Sequence, residues 1–431
     1  QHKLSIRVLQ PPQLCTDFQS ASLLRGSSLK VQFLLFSSSN PSCGQLLSTR
    51  EDLQNSTFNA TLGTKVIIHG FRVLGTKPSW TDGLIKALLQ AAQANVIAVD
   101  WVHGSTAAYY AAVENVMKLA LEIASFIRKL LDLGVPEKSI HLIGVSLGAH
   151  AGGLVGHFFE GRLGRITGLD PAGPKYTKAS REERLDPGDA VFVEAIHTDA
   201  DSTLLALAKP MRLPKPFVCP SFCSVGSYNY LICDHMRSVQ FYTSALTDPC
   251  PMMAFPCTSY KDFLTGHCLD CFPPFPLSCP TIGLLDNGGV HVGKLSTEVK
   301  VYLTTAASAP YCVYHSLVEF RLQTRRTSDT NIEIAFLSSN SSFSTSIIIP
   351  KQQTAGKGLL THSAPLCQVK SVMLQHRHKT WRRNKEETPV WGQFCTAPLP
   401  VDTSKEIFCL PQLLTLTRNN PLLHDLTVAC D

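Results

Sequence analysis

Chemistry is most legible in this chain at a serine held between two glycines. Gly144-Val145-Ser146-Leu147-Gly148 follows the apolar run Ile140–Ile143 and leads into Ala149-His150-Ala151-Gly152-Gly153-Leu154-Val155, whose small residues can lie close on a sheet. A tight strand-to-helix turn lifts a serine hydroxyl clear of the sheet, and the glycines leave room where a side chain would collide. The start of the following helix favours developing negative charge. The plain alternative, a Gly-rich turn with an ordinary serine, fits this strand–turn–helix setting less well.

A hydroxyl attacks a carbonyl only when a base takes its proton, and that base needs an orienting acid. The expected order along the chain is serine, acid, histidine. Asp170 directly follows Ile166–Leu169 within Gly168-Leu169-Asp170-Pro171-Ala172-Gly173-Pro174. Asp186 and Asp189 compete with it, but Leu185-Asp186-Pro187-Gly188-Asp189 reads as a turn. The candidate base is His235, in Cys233-Asp234-His235-Met236-Arg237 at the mouth of a helix. His197, at the end of a strand, is its main rival, and His150 lies too close to the elbow. Two backbone N–H groups must stabilise the oxyanion. Leu147 supplies one, and Phe71, in His69-Gly70-Phe71-Arg72 after an early strand, is the candidate for the other. The chemistry expected is acyl transfer through a serine.

Elements that could position these residues alternate between residues 30 and 247. Val31–Phe36, Lys65–His69, Asn95–Trp101, Ile140–Val145, Arg165–Leu169 and Ala190–Ile196 read as buried strands. Ser105–Leu133 carries Val113, Val116, Ala120, Ile123, Ile127 and Leu130 at helical spacing, and Gly134 and Pro136 end it. Such alternation implies a mostly parallel sheet covered on both faces. After Pro280 the pattern becomes β-rich, in Val299–Thr304, Tyr314–Leu322, Asn331–Leu337 and Ser344–Ile349. A catalytic domain over 1–300 and a smaller β-sandwich over 311–431 are therefore expected, the stretch from Gly356 onward having no assigned place in the sandwich.

With 44% apolar and 17% charged residues, the chain is that of a packed globular protein rather than a disordered one. Eight of fifteen cysteines, Cys219, Cys223, Cys233, Cys250, Cys257, Cys268, Cys271 and Cys279, fall in one stretch. Cys268 and Cys271 have zinc-like spacing without a second pair nearby, so loop staples in an oxidising compartment are the preferred reading. Glycosylation sequons at Asn55, Asn59 and Asn340 agree with export. So does an opening at Gln1 without methionine or apolar leader, and the expectation is a secreted, extracellular protein. The net charge of +6 concentrates partly in His376–Lys385, either a solvated loop or a contact for anionic lipid or sulfated glycans. A nucleic-acid partner is not expected, because aromatic interleaving and a recognition-helix pattern are missing.

These residues together resemble the pancreatic lipase family. The likeness runs over about residues 30–350 through His69-Gly70-Phe71, Val99-Asp100-Trp101, Gly144–His150, Gly168–Pro174, Ile196–Asp199 and Cys233–Arg237. It implies an α/β-hydrolase fold followed by a PLAT-like β-sandwich, and Ser146, Asp170 and His235 as the triad. It also implies disulfides Cys257–Cys268 and Cys271–Cys279, and a lid closed by a disulfide ending at Cys233. With Cys219 as its other end, that lid holds only thirteen residues. So short a lid buries little apolar surface, which favours a phospholipid over an oil droplet. Tyr230–His235 and Met253–Cys257 are closest to the branch acting on phosphatidylserine, which implies cleavage at its sn-1 ester. Other phospholipids, triacylglycerol and a non-catalytic lipid carrier are the alternatives. Ser202–Phe222 departs from the family pattern. No cofactor is expected. Arg184, Asp186 and Asp189 match a calcium loop of some relatives, but Arg181 puts a positive charge where an acidic ligand would help, so no metal is expected either.

Overall fold

The computed structural model describes residues 15–21, 28–72, 75–106, 108–198, 233–248, 250–269, 279–284, 298–338, 342–377, 389–399, 407–417 and 420–428. Contacts divide the chain into Gln1–Thr247 and Asp248–Asp431. This division falls earlier in the chain than the 1–300 and 311–431 expected from the sequence pattern. Residues after 247 group with the second unit because Phe255 and Phe263 share a buried cluster with Leu317 and Leu359, and Cys250 is bridged to Cys312.

The first unit is built on a seven-stranded sheet of order β2-β1-β4-β3-β5-β6-β7. Its strands are β1 (Gln32–Ser37), β2 (Asn40–Leu46), β3 (Gly63–Ile68), β4 (Ala94–Asp100), β5 (Ile140–Val145), β6 (Arg165–Leu169) and β7 (Phe192–Ile196). β1 runs antiparallel to its neighbours β2 and β4, whereas β4, β3, β5, β6 and β7 are parallel. Every residue of β4, β5 and β6 is buried, as a parallel sheet covered on both faces requires. This is the α/β-hydrolase architecture.

Helices α1 (Arg50–Asn55), α2 (Thr81–Ala91), α3 (Tyr109–Leu131), α4 (Leu147–Phe158) and α5 (Cys233–Thr247) accompany this sheet. In α3 the buried residues Val116, Leu119, Ala120, Ile123, Ala124, Ile127 and Leu130 form one apolar stripe. The helix begins at Tyr109 rather than near Ser105. The hydroxyls of Ser105 and Thr106 both donate to Val102 O, at 3.2 and 2.6 Å, and so close a separate turn first. At the other end Gly134, at φ 91°, turns the chain away, and Val135 N donates back to Leu130 O at 3.2 Å.

The second unit contains two antiparallel sheets. β10 (Tyr314–Leu322), β13 (Ala355–His362), β15 (Val390–Pro398), β16 (Phe408–Cys409) and β17 (Leu414–Leu416) form one; β11 (Thr330–Leu337), β12 (Ser342–Ile349), β14 (Ser371–Arg377) and β18 (Leu422–Asp425) form the other. Val318, Phe320 and Phe394 from the first interleave with Ile332, Ile347 and Leu374 from the second. The chain beyond Gly356, which pattern alone left unplaced, therefore supplies strands to both sheets. The expected strand Val299–Thr304 shrinks to β9 (Val301–Tyr302), paired with β8 (Phe255–Pro256) outside the sandwich.

Candidate active site

β5 ends at Val145 and α4 begins at Leu147, so the whole reversal of direction falls on Ser146. Its backbone, at φ 57° and ψ −118°, is one an L-residue adopts only under strain. Three hydrogen bonds hold it there. Ser146 N donates to Leu169 O at 3.0 Å, and Ser146 O accepts from Ala149 N at 3.2 Å and Ala172 N at 3.3 Å. Gly148 permits the close packing behind: a Cβ there would stand 2.1 Å from Ile68 O and 2.7 Å from His69 O. The start of α4 thus rests directly on the end of β3, and the chain leaving β3 runs past the serine. A Cβ on Gly70 would lie 3.2 Å from Ser146 Oγ.

The candidate acid and base meet from opposite directions in the sequence. Asp170 follows β6 with φ 45°, and its N–H donates to Ile196 O at 2.8 Å. Thr198 N donates to its Oδ1 at 3.1 Å, while Oδ2 lies 2.6 Å from His235 Nδ1. His197, the rival, has its Nδ1 4.0 Å from Oδ1 and its side chain 62% exposed, against 24% for His235. The carboxylate therefore orients His235. With the proton on Nδ1 facing Asp170, Nε2 keeps a lone pair, as a general base requires. The structure brings Asp170 to His235, and Gly70 to Ser146.

The remaining acids and histidines have other work. Asp186 and Asp189 bond within their own turn, Asp186 N donating to Asp189 Oδ2 at 2.7 Å and Gly188 N to Asp186 Oδ1 at 3.0 Å. Desolvation pushes the Asp189 carboxyl up to about 7. Arg181 Nε approaches Asp186 Oδ2 at 3.5 Å. Among the described residues no three His, Cys, Asp or Glu side chains form a group that could hold a metal ion. His150 is stacked on Tyr176 with ring centroids 3.7 Å apart. Its Nδ1 accepts from Leu185 N at 3.2 Å and its Nε2 donates to Ala172 O at 2.8 Å. Both nitrogens are used, and burial lowers its pKa to about 4, so it pins the 172–185 loop to α4 as a neutral ring. Sequence reasoning set this residue aside without finding that role; the small residues around it hold no signal for a stacking partner 26 positions away.

Leu147 is the first residue of α4, and Phe71 stands two positions beyond His69. Among the described residues neither backbone N–H is engaged in a hydrogen bond. The described disulfides are Cys15–Cys43, Cys250–Cys312, Cys257–Cys268 and Cys395–Cys409. Cys279 is also disulfide-bonded. Its expected partner Cys271, together with Cys219, the lid residues 220–232, the side chain of Cys233, the segment Ser202–Phe222, Asn340 and positions 378–385, lies outside the described residues. Cys15–Cys43, Cys250–Cys312 and Cys395–Cys409 are not among the pairs expected from the sequence; Cys395 stands opposite Cys409 in the pairing of β15 with β16. Asn55 and Asn59 are exposed.

The family model described as Lipase matches residues 8–212 and 223–311. "Phospholipase A1 member A" of Mus musculus is 61% identical over 426 residues, covering 96% of this chain and 92% of that protein. The protein of the same name in Homo sapiens is 59% identical over 430 residues, covering 97% and 93%. "Lipase member H" of Danio rerio is 41% identical over 305 residues, covering 69% and 67%.

Proposed function

This chain belongs to the pancreatic lipase family, and from that premise we propose that it cleaves the sn-1 acyl ester of phosphatidylserine, and of 1-acyl lysophosphatidylserine, by a Ser146–His235–Asp170 acyl-enzyme route. It is a carboxylic ester hydrolase of the phospholipase A1 type. The observation that carries the mechanism is the 2.6 Å contact of His235 Nδ1 with Asp170 Oδ2, made at the strand-end carboxylate that borders the strained serine. His235 Nε2 takes the hydroxyl proton as Ser146 Oγ bonds to the ester carbonyl carbon. The N–H groups of Phe71 and Leu147 receive the oxyanion. Collapse of that intermediate breaks the acyl–oxygen bond, and His235 gives its proton to the departing 2-acyl lysophosphatidylserine. Water, deprotonated by the same imidazole, then releases the fatty acid.

The preference for phosphatidylserine draws support from the Tyr230–His235 and Met253–Cys257 stretches and from the thirteen residues between Cys219 and Cys233. We place the protein outside the cell, acting on a phospholipid membrane or aggregate. Four described disulfides and the exposed sequons at Asn55 and Asn59 suit an oxidising compartment. The basic stretch His376–Lys385 would add attraction to anionic lipid or glycan. Release of fatty acid from position-labelled phosphatidylserine, with Ser146→Ala as control, tests the reading. Loss of sn-1 label only with Ser146 intact is the expected result; faster hydrolysis of trioleoylglycerol would overturn the specificity.

A further inference from the structure

His69 takes no part in the chemistry above, yet it is among the most constrained side chains near Ser146. It is 1% exposed and stacks on Trp101, itself fully buried, with ring centroids 5.4 Å apart. Its Nε2 accepts from the Trp101 backbone N–H at 3.2 Å, so that nitrogen carries no proton. The proton therefore sits on Nδ1, which donates to the Gly70 carbonyl at 2.9 Å. Trp101 Nε1–H closes the arrangement by donating to His69 O at 2.7 Å. One neutral tautomer satisfies every bond, and burial keeps the ring neutral by lowering its pKa to about 3.

The consequence lies in the next peptide plane. In a trans peptide the carbonyl and the following N–H point in opposite directions. The carbonyl of Gly70 and the N–H of Phe71 belong to one such plane, so a bond that fixes the first also aims the second. Gly70 passes close enough to Ser146 that a Cβ would meet the serine's Cβ at 2.6 Å, which leaves the plane no room to slide. We infer that His69 is the positioning residue of the second oxyanion donor: by holding the Gly70 carbonyl, its Nδ1–H turns the Phe71 N–H toward the oxygen of the attacked ester. This rests on the serine-esterase reading proposed above. A glycine in this plane swings easily between orientations; the imidazole supplies the direction that Gly70 lacks.

Two substitutions separate the ring's two bonds. Asparagine places an amide N–H where Nδ1 stands and can still hold the Gly70 carbonyl. Glutamine places its amide where Nε2 stands and can serve only Trp101. His69→Asn and His69→Gln are compared on a soluble p-nitrophenyl butyrate substrate, with thermal midpoints recorded for both. His69→Asn should stay within about fivefold of wild-type kcat, whereas His69→Gln should fall by about 10²-fold with KM unchanged, the loss expected for one misaimed oxyanion donor. Equal turnover in the two variants, or losses that simply follow their thermal midpoints, would overturn the inference. If His69→Gln does not fold, His69→Asn decides alone: folded and near wild-type supports the role, folded and 10²-fold slower removes it. Wild-type protein that fails to react at Ser146 with an alkyl fluorophosphonate would instead show that the esterase reading itself is wrong.

Discussion

The elbow around Ser146 and the core of the C-terminal sandwich are both buried, yet they are assembled from different material. At the elbow, backbone lies against backbone: a Cβ on Gly148 would meet the carbonyl oxygens of Ile68 and His69 at 2.1 and 2.7 Å. In the sandwich, side chains fill the space, with Phe320, Phe336 and Phe394 buried among Ile332, Ile347 and Leu374. A Cβ on the sandwich residue Gly358 would meet first the Ile347 Cγ1 atom, at 3.3 Å. Side chains can change rotamer; a carbonyl at the end of a central strand cannot withdraw without breaking the sheet. At Gly148 the neighbours are thus rigid groups and at Gly358 deformable ones, although within the sandwich Gly392 too lies against backbone, a Cβ there standing 2.4 Å from Arg321 O.

The contrast is tested hardest at the serine itself. Ser146→Ala should lower sn-1 fatty-acid release by 10⁴-fold or more, on the order found for triad nucleophiles, without moving the thermal midpoint. Unchanged release would break the comparison at its root. Gly148→Ala comes next. It should cost more than about 4 kcal/mol, because the clash is with backbone, and denaturant unfolding should show the first unit largely unfolded. Phe394→Ala, in the sandwich, should cost about 3–5 kcal/mol while leaving turnover of a soluble ester per folded molecule intact. A matched loss of kcat would mean that the two regions are not separable in this way.

A pH titration sharpens the same contrast, since the elbow's neutral histidine is held by backbone groups. Burial lowers the His150 pKa from 6.5 to about 4, so between these values the unfolded chain binds the extra proton and the folded chain does not. Stability from this residue is therefore complete above about pH 6.5 and declines as pH falls toward 4, by up to about 3 kcal/mol. Asp189 works in the opposite sense. Its raised pKa of about 7 means that its contribution declines as pH rises from 3.8 toward 7. Denaturation midpoints of wild type and His150→Asn across pH 4–7 should show a shallower acid-side slope in the variant. The smallest effect belongs to Gly358→Ala, expected within about 1 kcal/mol of wild type; a loss as large as that of Gly148→Ala would erase the distinction.

Local pattern carried much of this protein. Short β-branched runs marked β5 and β6 to the residue, three-and-four spacing marked α3, and Gly-x-Ser-x-Gly between strand and small-residue helix marked the elbow. These features depend on neighbours within a few positions, which a sequence displays directly. The chain from Gly356 onward was illegible for the opposite reason: its strands find partners far away, β14 on β11 and β15 on β10. Likewise residues 248–269 joined the second unit through contacts with Leu317 and Leu359 that no linear pattern announces.

The amino-acid order alone named a serine, an acid and a histidine, with His197 as the rival of His235. Order along the chain favoured His235, and the folded chain supplies the distances that pattern cannot, because Asp170 and His235 are 65 residues apart: Nδ1 of His235 lies at 2.6 Å, that of His197 at 4.0 Å. The tautomer of His69, set by a tryptophan 32 positions later, belongs to tertiary structure for the same reason. Residue types determine which chemistry is available; packing between distant segments determines which nitrogen performs it.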